Sequence, residues 1–121
     1  MTQKSEEIVQ KICQTIFDKK GLNPLALFIG DFSTVADYLI VAEGNVDRHV
    51  IAIAQDIIKE LKNENLSPHH VEGLQTGDWV LLDYNDIIVH IFMPGVREKY
   101  QLERLFVEGK ILPLNFTSQM V

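Results

Sequence analysis

GDWVLLDYNDIIVHIFMPGVREKYQLERLF, residues 77–106, decides how this chain is read. Two runs, 78–84 and 87–93, alternate side chains as strands do, and Asn85-Asp86 between them suits a two-residue turn with positive φ. Such a turn sets the register: Tyr84 faces Ile87, Leu82 faces Val89 and Trp79 faces Phe92. One face of the hairpin is then Val80, Leu82, Tyr84, Ile87, Val89, Ile91 and Met93. It is nearly pure hydrocarbon and is expected to lie under helices. The other is Trp79, Leu81, Asp83, Ile88, His90 and Phe92. Its mixture of aromatic and polar groups fits either a polar-tipped cover from the same chain or another protein. Pro94 opens a helix expected over 96–108, closed by Gly109. Leu102, Leu105 and Phe106 mark one apolar side of it; Val96, Tyr100 and Val107 mark a weaker second. A second side indicates a further contact, or else a helix buried in a crevice.

Upstream, Ile8, Val9, Ile12, Cys13, Ile16 and Phe17 form a helical stripe over about 4–20. Ser5 is its expected N-cap, Lys19 and Lys20 suit its C-terminal end, and Gly21 its left-handed stop. After the boundary at Asn23-Pro24, residues 25–29 and 37–42 read as two buried strands, paired antiparallel. Asn45 is the expected cap of a second helix, with Val46, Val50, Ile53, Ala54, Ile57, Ile58 and Leu61 at helical spacing. Residues 69–73 form a short extended piece, 111–114 are too apolar to leave the body, and 117–121 are a loose end. The order is α-β-β-α-β-β-α: an α/β fold with a small mixed β-sheet and flanking helices. Its middle β-α-β step is expected to be a right-handed parallel crossover.

At 121 residues the chain reads as one domain, 1–121, with about 109–121 as a C-terminal extension. One cysteine, Cys13, rules out an internal disulfide, and on the apolar stripe it reads as core. No apolar run reaches the roughly 20 residues of a membrane span, and the first residues, MTQKSEEIVQ, lack an apolar signal core. A cytoplasmic setting is expected. The net charge is −6, with the Lys and Arg residues scattered rather than clustered. Nucleic acid is thus a poor primary partner. A basic protein fits better, because complementary charge accelerates association.

No catalytic constellation emerges. Gly30 to Ser33 followed by Asp37 loosely resembles a nucleotidyltransferase turn, but the second magnesium-binding carboxylate falls on Leu39. Asp83 on another strand leaves that pair incomplete. His90 and Asp83 are diagonal neighbours with no nucleophile beside them. Adjacent His69 and His70 point to opposite faces and cannot readily clasp one ion. Neither a cofactor nor a metal is expected.

Several short motifs carry a resemblance. They are Ala36-Asp37-Tyr38, Asp47-Arg48-His49-Val50, Glu72-Gly73, the run from Asp78 to Tyr84, Val89-His90-Ile91-Phe92, and Arg97-Glu98-x-Tyr100-x-Leu102-Glu103. In this order, over about residues 5–108, the chain resembles the ribosomal silencing factor, or Iojap-like, family. The resemblance implies a nucleotidyltransferase-like core without the catalytic acids. It also implies a non-enzymatic role: binding the large ribosomal subunit through its fourteenth protein, blocking small-subunit joining, and lowering translation when nutrients run short. The partner contact is expected at Trp79, Asp83, His90, Met93, Arg97, Tyr100 and Glu103, with Trp79 and Tyr100 as aromatic anchors. Large-subunit assembly, a homodimer through exposed faces, and a relic enzyme are the alternatives.

Overall fold

Apolar residues recur at every second position of the hairpin and at helical spacing in two long segments. Both sets are buried together when helices lie on one face of a sheet. The computed structural model, which describes residues 3–31, 33–106 and 108–116, has this arrangement. In chain order its elements are α1 (Gln3–Asp18), β1 (Leu22–Phe28), β2 (Tyr38–Glu43), α2 (Asp47–Lys62), β3 (His70–Glu72), β4 (Trp79–Asp83), β5 (Ile87–Phe92) and α3 (Pro94–Tyr100). A 3-10 turn (Leu102–Phe106) and β6 (Lys110–Ile111) follow. The six-stranded sheet has the order β3-β4-β5-β2-β1-β6.

The hairpin register is as expected, with Trp79 opposite Phe92, Leu82 opposite Val89 and Asp83 opposite Ile88. In the turn, positive φ is confined to Asn85, at 76°. The Asp83 carboxylate accepts the Asn85 N–H at 2.8 Å. The apolar hairpin face packs under α1 and α2: Val80, Leu82, Val89 and Ile91 share a fully buried core with Ile12, Ile16, Ile53 and Ile57. Truncating one such isoleucine to Ala removes packing worth about 2–5 kcal/mol. Cys13 is completely buried there, and burial pushes its thiol up to about 12.

Several local expectations are corrected. Ser5 is not a cap but lies within α1, its hydroxyl donating to the Asp86 carboxylate at 3.0 Å. The left-handed residue after α1 is Lys20, at φ 62°, rather than Gly21. Gly21 is required for a different reason, since a Cβ there would collide with the Ile16 side chain. Asn23-Pro24 is not a boundary but a register shift inside β1. Val46, not Asn45, occupies the N-cap position of α2; the Asn45 backbone N–H instead donates to His49 Nδ1 at 2.9 Å.

The crossover is also longer than expected. The parallel neighbour of β2 is β5, with Tyr38 opposite Ile87 and Glu43 opposite Phe92. The strand read as following α2, β4, runs antiparallel to β5 and is separated from β2 by it. The three-residue strand β3 comes first after α2 and takes the sheet edge, so the tight hairpin must fill the space back to β2.

The last helix is broken. α3 ends at Tyr100, Gln101 adopts a left-handed conformation at φ 46°, and the chain resumes as the 3-10 turn. The break reorients the apolar sides: Val96, Leu102 and Phe106 pack on one cluster, whereas Leu105 is 72% exposed. Val107 and the expected loose end, 117–121, lie outside the described residues. Leu112, Leu114 and Phe116 pack against the helix-side core, with Phe116 stacked on Phe17 at 4.6 Å, while Ile111 of β6 faces outward.

Gly73, just before β4, has φ 90°, and a Cβ would collide with the Trp79 carbonyl oxygen. Gly73→Ala should therefore lower stability by about 2 kcal/mol or more, read from urea midpoints. Gly95→Ala, where a Cβ meets nothing within 4 Å, should leave the midpoint unchanged or raise it.

Candidate functional site

The second sheet face carries Trp79, Leu81 and Asp83 from β4 and Ile88, His90 and Phe92 from β5, continuing through Leu39, Val41 and Glu43 of β2. This face is only half covered. Over the β1–β2 half, Val96, Leu102 and Phe106 pack on Leu27, Ile29, Leu39, Val41 and Phe92. Over the other half, Leu81, Asp83, Ile88 and His90 keep part of their surface exposed, and His70 and Glu72 of β3 are exposed. Glu72, Thr76, Asp78, Trp79, Leu81 and His90 line a hollow of about 290 Å³ there.

An aromatic cluster stands at the border between the two halves. Phe92, fully buried, is its floor. Trp79 lies 4.9 Å from Phe92 and 4.8 Å from Tyr100, ring centre to ring centre. The Trp79 indole N–H donates to His90 Nδ1 at 2.9 Å, which places the imidazole proton on Nε2. Burial pushes His90 down to about 4, so it is neutral at pH 7 and the hollow's formal charges are carboxylates. Tyr100 is 49% exposed at the end of α3, with the Lys99 ammonium 5.5 Å from its ring centre.

Behind this cluster Arg97 joins three parts of the chain. Its Nη1 donates to Glu43 at 2.9 Å and to the Asn23 carbonyl at 2.6 Å, and its Nε donates to Glu103 at 3.2 Å. The Arg97 side chain is 11% exposed and that of Glu43 12%. Removing one partner from so buried a pair leaves an uncompensated charge, at a cost of about 3–5 kcal/mol.

Of the seven expected contact residues, the structure brings Trp79, His90 and Tyr100 together. Arg97 and Glu103 form the ion-pair group, with the guanidinium already committed within the chain. Asp83 shares the face but lies at the other end of β4 from Trp79, roughly 13 Å along the strand. The Met93 side chain packs on the opposite, helix-covered cluster, because alternation turns it away from Phe92. Sequence reasoning missed Glu43 and Gln101. An acid ending an otherwise apolar strand was the available signal for Glu43, since a buried carboxylate requires a countercharge.

The candidate catalytic groups named from the sequence do not converge in the fold. His90 is engaged by Trp79, not oriented by Asp83. Asp37 precedes β2 and Asp83 ends β4, with β5 between those strands. Among the described residues no three His, Cys, Asp or Glu side chains converge as a metal ion requires. His70 pairs with Glu72 at 2.6 Å.

Because the folded state holds His90 below its ordinary 6.5, the unfolded chain binds the extra proton first as pH falls. Stability should decline from about pH 6.5 toward pH 4 by about 3 kcal/mol and level off below that as far as this group is concerned. Urea unfolding followed by the fluorescence of the single tryptophan checks this; His90→Gln should remove that part of the pH dependence.

Comparison with known proteins identifies the family. The model for "Ribosomal silencing factor during starvation" matches residues 2–119. The ribosomal silencing factor RsfS of Bacillus subtilis is 34% identical over 116 residues, spanning 96% of this chain and 97% of the relative. That of Zymomonas mobilis is 36% identical over 104 residues, spanning 86% and 78%. A crystal structure of a Chromobacterium violaceum protein superimposes with a TM-score of 0.82 at 29% identity, covering 94% of both chains. The fold, the hairpin motifs and this near full-length similarity place the chain in the ribosomal silencing factor family of ribosome-associated translation regulators.

Proposed function

We propose that this protein lowers translation by docking on the large ribosomal subunit and sterically blocking the small subunit. The docking partner is a basic protein of the large subunit, its fourteenth, as the family resemblance implies. The protein acts in the cytoplasm, by occupancy rather than by catalysis. The observation that carries this reading is the Trp79–Tyr100 pair at the edge of an open, carboxylate-bearing half of the sheet face. Tryptophan and tyrosine are enriched among binding hot spots because they bring large area at low entropy cost. Glu72 and Asp78 beside them, Asp83 farther along the same face, and the −6 net charge suit a basic protein surface. In this reading Trp79, His90, Tyr100 and Asp83 meet the partner, Glu103 lies at the rim, and Arg97 and Met93 support the face from within.

A second reading, assembly of the large subunit, is favoured by one relative. The mouse protein named "Mitochondrial assembly of ribosomal large subunit protein 1" is 30% identical over 73 residues, spanning 58% of this chain and 32% of that protein. Gradient profiles of a deletion strain separate the two. Silencing predicts normal large subunits and excess joined ribosomes in starved cells; assembly predicts immature large subunits during growth.

Tyr100→Ala should weaken co-sedimentation with purified large subunits by about tenfold or more, and adding Trp79→Ala should bring the loss to about a hundredfold. Undiminished binding by the folded double variant overturns this placement of the site.

A further inference from the structure

The segment 94–106 has helical periodicity in sequence yet is divided at Gln101, whose φ of 46° and ψ of 51° are left-handed. The break carries two consequences. It ends α3 one residue earlier, at Tyr100, which lies against Trp79. It also brings Glu103 round to Arg97. On an unbroken helix, residues six apart would lie roughly 120° apart around the axis, and that ion pair would be disfavoured. The left-handed form is disfavoured for a side chain such as Gln, which lacks the local hydrogen bonding that helps Asn and Asp there. Two backbone bonds hold it: Gln101 N–H to the Arg97 carbonyl at 2.8 Å and Arg104 N–H to the Gln101 carbonyl at 3.0 Å. The Arg97–Glu103 pair spans it.

We propose that Gln101 is a positioning residue for docking. Its left-handed break, pinned by Arg97 and Glu103, holds Tyr100 on Trp79 and so builds the binding face. Neither α3 nor the 3-10 turn has a fully buried residue. These junction contacts therefore set the geometry together with the Arg97–Glu43 pair and with Val96, Leu102 and Phe106 on the sheet. If the junction straightens, the Arg97–Glu103 pair is lost and Tyr100 is no longer pinned on Trp79, while the sheet and the helix-side core remain. The inference rests on the docking reading above and adds the residue that organises its site.

The test uses the full-length chain with purified large subunits. Gln101→Gly favours the left-handed form, whereas Gln101→Val opposes it, because a β-branched residue strongly disfavours positive φ. Neither substitution removes an Arg97 contact. The Val variant should bind about tenfold more weakly than wild type, with a shifted Trp79 emission as the Tyr100 ring moves away. The Gly variant should bind at least as well as wild type and keep its emission. If wild type itself does not co-sediment, the docking reading fails. If wild type binds and the folded Gly and Val variants bind and emit as it does, docking stands and the positioning role of Gln101 is overturned.

Discussion

The ion pair between Arg97 and Glu43 is the constraint on which the second face of this protein depends. β2 is buried along its whole length, and its last residue carries a carboxylate into that environment, 9% exposed. A carboxylate so placed needs a countercharge and hydrogen-bond donors. Arg97 supplies the charge at 2.9 Å, and the Asn23 side-chain amide approaches at 3.3 Å. Because Arg97 belongs to the helix that follows β5 directly, meeting this requirement anchors α3 to the end of β2. Tyr100, three residues on, then stands beside Trp79. The electrostatic need of one buried acid thus sets the geometry of the surface aromatics.

The same anchoring explains why the sheet is covered unequally. Two sixteen-residue helices, α1 and α2, cover one face. The other face receives only a seven-residue helix and a five-residue 3-10 turn. These reach the β1–β2 half and stop, leaving Leu81, Ile88 and His90 partly open. An open sheet face with an aromatic cluster at its border and carboxylates around it suits a protein partner better than a small substrate, which needs convergent groups in an enclosing pocket.

Much of this was legible in the chain. The Asn85-Asp86 turn fixed which residues of β4 and β5 face each other, and alternation then separated the helix-covered side from the mixed one. The spacing of Val50, Ile53, Ile57 and Leu61 marked α2 without ambiguity, and Trp79, His90 and Tyr100 were identifiable as one surface. The failures come from side-chain contacts that local patterns do not weigh. Ser5, Gly21 and Asn45 suit the local roles assigned to them, but each is used otherwise because another side chain intervenes, from a distant element at Ser5 and from the neighbouring turns at Gly21 and Asn45. Asp86 takes the Ser5 hydroxyl, Ile16 crowds Gly21, and His49 takes the Asn45 N–H. The break at Gln101 was hidden for the same reason: the periodicity of 96–108 favours one helix, while Arg97 must answer to both Glu43 and Glu103.

The amino-acid sequence by itself determined the two-faced hairpin, the helices that cover its apolar side, the acidic charge and the family. These follow from periodicity, turn chemistry and composition, which act over a few residues or over the whole chain. Only the tertiary structure decided that β5 rather than β4 lies beside β2, that Arg97 serves the interior, and that Met93 and Asp83 stand apart from the Trp79–Tyr100 pair. Those outcomes depend on contacts between residues up to 74 positions apart, as from Arg97 to Asn23, and on the requirement that every buried charge find its partner.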